Sequence, residues 1–320
     1  MNSKLLSHDS IGVCILAYKR LDKLKLCINS LRRFLNKNEK IYIFQDYYDL
    51  SVNDLTKKQV NDVRRFLLKL KRNKNYKIIL RTKRFGMTLN WFLAYKEMFK
   101  NFAKVICLED DIIVNKNFIK FTTFYLNTFK FNKKIMNITG FSTKIKLPKN
   151  YNFDCYITRR SMSWGQASWR RVWKSFKVTY QNKDHLSVIK NKKNKRKLLT
   201  GGEDLLATLT LDYFKFVESI QVWWIWNIIK NDGLCINPAN PLSKNIGYDE
   251  SGTHSKDGEN FPLSRYNKKY STKMRKIYYS DQINNNFYEK FKIKKKTLFV
   301  FKYLPLQLIK LLYKVKKFFK

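Results

Sequence analysis

The chain has 320 residues, of which 44% are hydrophobic. This is enough to bury a substantial core and excludes an intrinsically disordered protein. Its 66 Lys and Arg residues against 24 Asp and Glu residues give a formal net charge of +42, which indicates an anionic partner: a phosphorylated substrate, an anionic membrane surface or nucleic acid. Solvated lysines need no partner, so charge alone does not choose among these classes.

The cysteine and hydropathy patterns bear on the compartment. The five cysteines form no CxxC pair and several lie in apolar runs, so we expect buried thiols in a reducing compartment. The N-terminus has no apolar run of signal-peptide length, and no segment approaches the roughly 20 apolar residues that a membrane span needs. We therefore predict a cytoplasmic protein, at most peripheral on the inner face of the cell membrane.

The first third of the chain alternates apolar strands with amphipathic helices. Strands are predicted at residues 11–18, 40–44 and 77–80, and helices at residues 59–70 and 89–99. A further helix is predicted directly after the first strand, with Leu24, Cys27, Ile28 and Leu31 on one face. This alternation predicts βαβ units, and therefore an α/β fold: a Rossmann-like, mostly parallel sheet flanked by helices. Neither a GxGxxG loop nor a GxxxxGKS or GxxxxGKT loop is present, which argues against a dinucleotide oxidoreductase or a P-loop NTPase.

Residues 105–114 are the most informative stretch. A run of β-branched and apolar residues ends in Glu109, Asp110 and Asp111 before the chain turns apolar again. In an open α/β sheet, the carboxyl end of a strand lies in the ligand crevice. A carboxylate there can bind Mg²⁺ or Mn²⁺ and leave other positions for water and phosphate oxygens. The alternative is a strand that ends at the surface with solvated acids; because acids are scarce here, we favour the cation site.

The second half of the chain is less regular. Residues 159–173 are dense in Trp and Arg, which suits sugar stacking and phosphate pairing but equally a helix that buries its tryptophans at helical spacing. Residues 188–197, mostly Lys, Asn and Arg, are predicted to form an exposed loop. His254 lies in a loop with Gly and Ser, and is either a second ligand for metal or phosphate or a surface histidine without a role.

The C-terminal tail, residues 291–320, differs in kind from the domain at residues 1–290. Beyond Pro305, Leu, Val and Phe residues line one helical face while lysines fall on another. This pattern is typical of a helix that lies in the interface of an anionic membrane. The alternative is a terminal helix docked on the domain, and we favour the membrane because of the flanking lysines.

With these segments placed, the chain resembles a GT-A fold glycosyltransferase, specifically the bacterial relatives of the N-acetylglucosaminyltransferase I family. The resemblance runs from the first predicted strand to His254. It implies that Arg20, in Ala-Tyr-Lys-Arg, contacts the nucleotide and that Asp46, in Gln-Asp, reads uracil. It also implies that Asp111 is the direct Mn²⁺ ligand, while Glu109 and Asp110 hold ribose, sugar hydroxyls or metal-bound water.

Two later motifs are similar to bacterial members of the same family. Residues 160–169 resemble an Arg, Ser and Trp-Gly-x-Ala-x-Trp signature, with Gln166 where Trp is usual, which places Arg160 and Trp164 at the donor. Residues 245–254, from Asn-Ile-Gly to Gly-Thr-His, resemble the closing motif, and His254 becomes a candidate metal ligand beside Asp111.

One departure concerns the catalytic base. Many relatives carry an Asp in a Trp-Asp-x-x-Trp segment, where this chain has Gln221, and an amide cannot take a proton. Some bacterial relatives have an acid a few residues earlier, which corresponds to Glu218. We therefore assign the catalytic role to Glu218 together with Asp110, and keep Glu203 and Asp204 in reserve.

The resemblance implies a metal-dependent transfer of sugar from a nucleotide-sugar, a UDP-sugar above all, to a glycan or lipid-linked acceptor in bacterial surface polysaccharide synthesis, with inversion. It assigns residues 1–120 to the donor and residues 121–290 to the acceptor. The alternatives are a basic nucleic-acid-binding protein, for which no zinc spacing or RNP-like motif is present, and a catalytically degenerate GT-A protein. A sugar nucleotidyltransferase lacks its glycine-rich N-terminal loop here. We therefore expect no specific nucleic acid partner.

Overall fold

The computed structural model describes residues 10–177, 182–247 and 272–315. Over these ranges the predicted α/β architecture is confirmed, because eight strands form one central sheet and helices flank it. The sheet order is β3-β2-β1-β4-β8-β6-β9-β7. The strands are β1 (Ile11–Ala17), β2 (Ile41–Gln45), β3 (Tyr76–Leu80), β4 (Lys104–Glu109), β5 (Ile112–Val114), β6 (Ile135–Thr139), β7 (Cys155–Thr158), β8 (Gln166–Trp169), β9 (Leu234–Pro238) and β10 (Ser243–Asn245).

The central sheet is mostly parallel, as expected. Strands β3, β2, β1 and β4 pair in parallel, and so do β6 and β9. Strand β8 pairs antiparallel with both β4 and β6, and β7 pairs antiparallel with β9. Strands β5 and β10 pair with each other in a separate two-stranded sheet.

The helices follow the predicted apolar periodicity. In the first one, Leu24, Cys27, Ile28 and Leu31 are buried, which is the predicted face. The second is capped by Asn53, whose side chain accepts a hydrogen bond from the Thr56 amide. The helices are α1 (Leu21–Arg32), α2 (Asp54–Leu70), α3 (Gly86–Asn101), α4 (Phe118–Thr128), α5 (Arg170–Ser175), α6 (Asn182–Ile189), α7 (Lys192–Leu199), α8 (Asp204–Tyr213), α9 (Ile220–Lys230), α10 (Asp281–Tyr288), α11 (Lys295–Tyr303) and α12 (Leu306–Lys314).

The prediction of an exposed loop at residues 188–197 is wrong. This stretch ends α6 and forms most of α7. Val188 and Ile189 are buried in the core, and Asn191 caps α7 by accepting a hydrogen bond from the Asn194 amide. The burial of Val188 and Ile189 on α6 and of Leu198 on α7 thus outweighs a largely basic composition, because packing against neighbouring helices stabilises each helix.

The Trp- and Arg-rich stretch at residues 159–173 is not one helix. It contains strand β8, inserted between β4 and β6, followed by the short helix α5. The indole N–H of Trp169 donates to the Leu126 carbonyl at 3.0 Å. Trp173 packs beside Trp91, with ring centroids 6.2 Å apart. Both tryptophans therefore belong to the core, although the strand was not expected.

A buried polar cluster joins α6, α8 and α9. The carboxylate of Asp212 lies 2.8 Å from the Nε2 of His185 and accepts from the Trp223 indole at 3.1 Å. It also accepts from the Ser219 amide at the start of α9. These partners satisfy a carboxylate that is almost fully buried, so the cluster fixes three helices to one another.

The five cysteines and the C-terminal helices complete the core. All five cysteines are free and buried, as predicted. Helices α11 and α12 pack on α8 through a small apolar cluster made by Leu206, Val300, Phe301 and Ile309. Within residues 10–177, 182–247 and 272–315, no helix is long and apolar enough to cross a bilayer.

Candidate active site

Three adjacent parallel strands end at the same edge of the sheet, and a predicted site residue follows each of them. Strand β1 lies between β2 and β4, with Ala17 paired to Gln45 and Leu16 paired to Glu109. Arg20 follows β1, Asp46 follows β2, and the acid triplet, Glu109 to Asp111, ends β4. Parallel pairing in this register therefore collects residues from three distant parts of the chain at one edge.

Arg20 pairs with two of the three acids. Its Nη2 lies 2.5 Å from the Oδ1 of Asp110, and its Nη1 lies 2.9 Å from the Oδ2 of Asp111. The backbone amide of Tyr18 also donates to the Oδ2 of Asp110, at 3.0 Å. Both aspartates are buried, so the guanidinium supplies charge that the carboxylates need in a site poor in water.

One arginine does not neutralise the acid triplet. Burial, Asp111 and Asp110 together raise the pKa of Glu109 to about 8 against the effect of Arg20. Burial raises the pKa of Asp110 to about 6, although Arg20 acts to lower it. The pKa of Arg20 lies above its ordinary value, because Asp110 and Asp111 outweigh the effect of its burial. The cluster is therefore an electrostatic site for further positive charge.

Asp111 offers a specific place for that charge. Its Oδ1 is buried and has no hydrogen-bond partner among the described residues, whereas its Oδ2 pairs with Arg20. A buried carboxylate oxygen without a partner is costly unless a cation binds it. Mg²⁺ or Mn²⁺, which prefer oxygen ligands, fit this oxygen; over the described ranges no group of three acid, His or Cys side chains is arranged to hold a metal alone. Water and phosphate oxygens would have to complete the coordination.

A short segment from the predicted closing motif lies directly on the acid triplet. Strand β10 pairs with β5, which follows the triplet, and the Ile246 amide donates to the Asp111 carbonyl at 2.8 Å. A Cβ added to Gly247 would overlap the Oδ2 of Asp111 and lie 2.8 Å from the Nη1 of Arg20. Glycine is therefore required at 247 for the backbone to approach the carboxylate this closely. His254, the predicted second ligand, lies outside the described residues.

Lys23 also holds this segment in place, and no sequence pattern had indicated a role for this residue. It is buried on α1, and its ammonium donates to the Ile246 carbonyl at 2.7 Å. The only sequence signal is a lysine next to the apolar face of an amphipathic helix, which is also what solvated lysines look like. Its role depends on a contact with a residue far along the chain, which only the folded structure supplies.

Asp46 is at the predicted edge but has a structural task there. Its two oxygens accept from the backbone amides of Phe85 and Gly86, each at 2.9 Å. These amides begin α3, so the carboxylate caps that helix. Burial raises the pKa of Asp46, and the backbone hydrogen bonds act against this. Beside it, Arg84 donates to the phenol oxygen of Tyr18 at 3.3 Å, a contact that sequence reasoning missed.

Glu218 contacts the start of the same helix, α3. Its Oε1 accepts from the Thr88 amide at 2.7 Å, and the side chain itself is exposed. A Cβ on Gly86, which has a φ of +75°, would lie 3.2 Å from both of its oxygens. The structure therefore brings both Glu218 and Asp46 to Gly86. Gln221, the position of the missing acid, donates to the Ser161 hydroxyl at 3.0 Å.

Arg160 and Trp164 have partners of their own. The guanidinium of Arg160 pairs with both oxygens of Asp204, at 2.6 and 2.9 Å, and stacks on Phe291 with 3.7 Å between its carbon and the ring centroid. The backbone carbonyl of Trp164 accepts from the Ser243 hydroxyl of β10 at 2.6 Å. Trp164 is thus tied to the segment that covers the triplet, whereas Arg160 faces α8.

The reserve bases are engaged elsewhere. Asp204 is held by Arg160, and Glu203 accepts from the Ile293 amide at 3.0 Å. Glu203 therefore binds the C-terminal part of the chain to the start of α8, and Asp204 binds Arg160 to the same helix. This leaves Glu218 as the exposed acid of the three sequence candidates.

No family model and no curated protein matches the chain. Solved structures overlap it in part. The mannosyltransferase PcManGT from Pyrobaculum calidifontis, in complex with GDP-Man and Mn²⁺, is 9% identical over 52% of this chain and 46% of its own, with a TM-score of 0.37. TarS 1-349 of S. aureus, in complex with UDP-GlcNAc, is 14% identical over 52% and 46%, with a TM-score of 0.36. GalNAc-T7 with UDP, GalNAc and Mn²⁺ is 9% identical over 73% and 43%, with a TM-score of 0.48. The chain spans less than half the length of each of these three proteins.

Proposed function

We propose that this protein is a metal-dependent GT-A glycosyltransferase that takes its sugar from a UDP-sugar. The observation that carries the proposal is the buried, unpartnered Oδ1 of Asp111, in an acid triplet at the carboxyl edge of a parallel sheet. Arg20 pairs with two acids of the triplet, and the backbone at Gly247 lies against Asp111. The order of these motifs along the chain resembles that of the N-acetylglucosaminyltransferase I family.

Each residue has a task in this reaction. Asp111 would hold the divalent cation, which neutralises the charge that develops on the leaving diphosphate. Arg20 is placed to add positive charge at the same point, while Gly247 lets the backbone lie against the site. The acceptor hydroxyl oxygen forms a bond to the anomeric carbon, the bond from that carbon to the diphosphate oxygen breaks, and Glu218 takes the hydroxyl proton. A single displacement of this kind inverts the anomeric configuration.

The acceptor is proposed from the chain's other features. A protein with a net charge of +42 and a basic helical C-terminus suits an acceptor carried on an anionic surface. We therefore propose a glycan or lipid-linked acceptor in bacterial surface polysaccharide synthesis, with the protein on the inner face of the membrane. Residues 1–120 would bind the donor and residues 121–290 the acceptor.

The test is calorimetric titration of the full chain with UDP, with and without Mn²⁺. We expect UDP binding that requires the cation, because the diphosphate would otherwise meet the negative charge of the acid triplet. The cation in turn needs phosphate oxygens, since Asp111 alone supplies too few ligands to hold it. Metal-dependent binding would be followed by screening UDP-sugars for hydrolysis and transfer. Failure to bind UDP with any divalent cation would overturn the donor assignment.

The net charge favours one other class, a basic nucleic-acid-binding protein. A gel shift that persists at physiological salt, together with no UDP binding, would establish that reading instead. A degenerate GT-A protein would bind UDP with metal but transfer no sugar. The three proposals therefore predict different pairs of results.

Replacing Glu218 by glutamine tests the proposed base. The amide keeps an oxygen that can accept from the Thr88 amide, so the start of α3 is preserved, but it cannot take a proton. We expect kcat for transfer to fall by about 100-fold or more while the KM for the donor stays unchanged. Steady-state kinetics measure both. The matched control is Glu203→Gln, at a carboxylate that accepts from the Ile293 amide, which should leave kcat near the wild-type value. Equal losses in the two variants would contradict the assignment.

A further inference from the structure

The two C-terminal helices present large apolar side chains to solvent. Phe299 and Tyr303 on α11, Leu308 and Leu311 on α12, and Val315 directly after α12 have 41 to 63% of their surface exposed. These are five of the 14 exposed large hydrophobic residues in the described part of the chain, collected within residues 299–315. Single exposed apolar residues are ordinary, but such a concentration indicates an interaction surface. We call these five residues the apolar strip.

The strip is distinct from the face by which the helices dock on the domain. On α12, Ile309 is buried in the cluster with Leu206, and Leu306 and Leu312 pack against that cluster. At about 100° per residue, positions 308, 311 and 315 fall within an arc of about 60°, next to the arc that holds positions 306, 309 and 312. The helix therefore has two apolar faces, one satisfied by the protein and one without a described partner. The single apolar face predicted from the sequence is therefore split between the two: Leu312 packs against the domain, whereas Leu308 is exposed.

The charge around the strip identifies its partner. Residues 292–320 contain ten lysines and neither Asp nor Glu. Lys295 and Lys314, one on each helix, are exposed. Apolar side chains in a segment whose charged residues are all lysines match a surface that offers an apolar interior beneath anionic groups, and tyrosine suits the boundary between them.

We infer that the apolar strip is a membrane-docking surface that inserts its side chains among the lipids of an anionic bilayer while the lysines contact phosphate headgroups. The domain is then held at a fixed orientation to the membrane, because Phe301 on α11 and Ile309 on α12 pack both helices against α8. This inference does not depend on the proposed sugar transfer, and lipid binding is measured without any donor.

The test is co-sedimentation of the full chain with vesicles. One set is phosphatidylcholine alone, and in the other about a third of the lipid is phosphatidylglycerol. We expect binding to the anionic vesicles alone. The double variant Leu308→Gln/Leu311→Gln should weaken that binding by about tenfold or more, since it removes buried apolar contact without changing charge. Lys295→Gln/Lys314→Gln should weaken it by a similar factor.

The matched control is Leu26→Gln/Leu55→Gln, which exchanges two leucines of similar exposure, 54 and 64%, on α1 and α2. This variant should sediment like the wild-type chain. Equal weakening by the two leucine pairs, binding that the strip variant leaves intact, or no binding to anionic vesicles would each overturn the inference. A concentration-dependent dimer that the strip variant dissociates would also overturn it, in favour of a second copy as the occupant.

Discussion

Replacing Asp111 by asparagine is expected to abolish metal-dependent UDP binding. The substitution keeps the size of the side chain but removes the charge that a buried, unpartnered Oδ1 would present to the cation. Changes to residues that merely support a ligand cost about 10- to 100-fold in metal affinity, so loss of the ligand itself should raise the Kd for UDP in Mn²⁺ by at least about 100-fold. Calorimetric titration measures this directly.

The fold should survive the Asp111→Asn change. Arg20 keeps its pair with Asp110 at 2.5 Å, and one of three crowded carboxylates is neutralised. A control is Asp212→Asn, at a carboxylate that is 6% exposed where Asp111 is 5% exposed. It should lower the free energy of unfolding by about 1–3 kcal/mol, because it disturbs the partners of His185 and Trp223, and leave UDP affinity unchanged. Unchanged UDP binding in Asp111→Asn would show that another group holds the metal.

Replacing Gly247 by alanine is expected to impair the site by displacement. The new Cβ would overlap the Oδ2 of Asp111 and crowd the Nη1 of Arg20. Either the segment lifts from the triplet, against the hydrogen bond from Lys23 to Ile246, or the carboxylate turns away from its position. Both movements disturb the proposed ligand, so we expect UDP affinity in Mn²⁺ to fall by about tenfold or more.

Gly233→Ala is the matched control for this change. Its Cβ would overlap the sulfur of Met136 and lie 2.8 Å from the Cγ of that residue, so the crowding is similar but concerns the core. It should lower the free energy of unfolding by about 1–3 kcal/mol and leave nucleotide affinity unchanged. Urea denaturation and calorimetry of both glycine variants separate the two effects. If Gly233→Ala weakens UDP binding as much as Gly247→Ala does, crowding at the triplet is not the cause.

Local patterns in the sequence determined the first half of the fold. Strand and helix periods differ, so the alternation of strands and helices could be read along the chain, and with it the parallel sheet. The acid triplet could be placed at a strand end because three carboxylates interrupt an apolar run. The burial of the five cysteines followed from the apolar runs around them.

The tertiary structure decided what depends on contacts between distant residues. Strand β8 pairs antiparallel between β4 and β6, and nothing local in residues 166–169 specifies that position. Residues 188–197 are largely helical because Val188 and Ile189 on α6 and Leu198 on α7 are buried in the core, which composition does not reveal.

The site shows the same division. The sequence by itself predicted the candidate site residues, since Arg20, Asp111 and the segment ending in Gly247 each stand in a recognisable motif. Only the tertiary structure decided that Arg20 bridges two of the acids and that Gly247 lies against Asp111. It also decided that Lys23 fixes the segment at Ile246 by a hydrogen bond. The physical reason is that side-chain identity is a local property of the chain, whereas a buried oxygen's partners are set by the packing of strands and helices far apart in sequence.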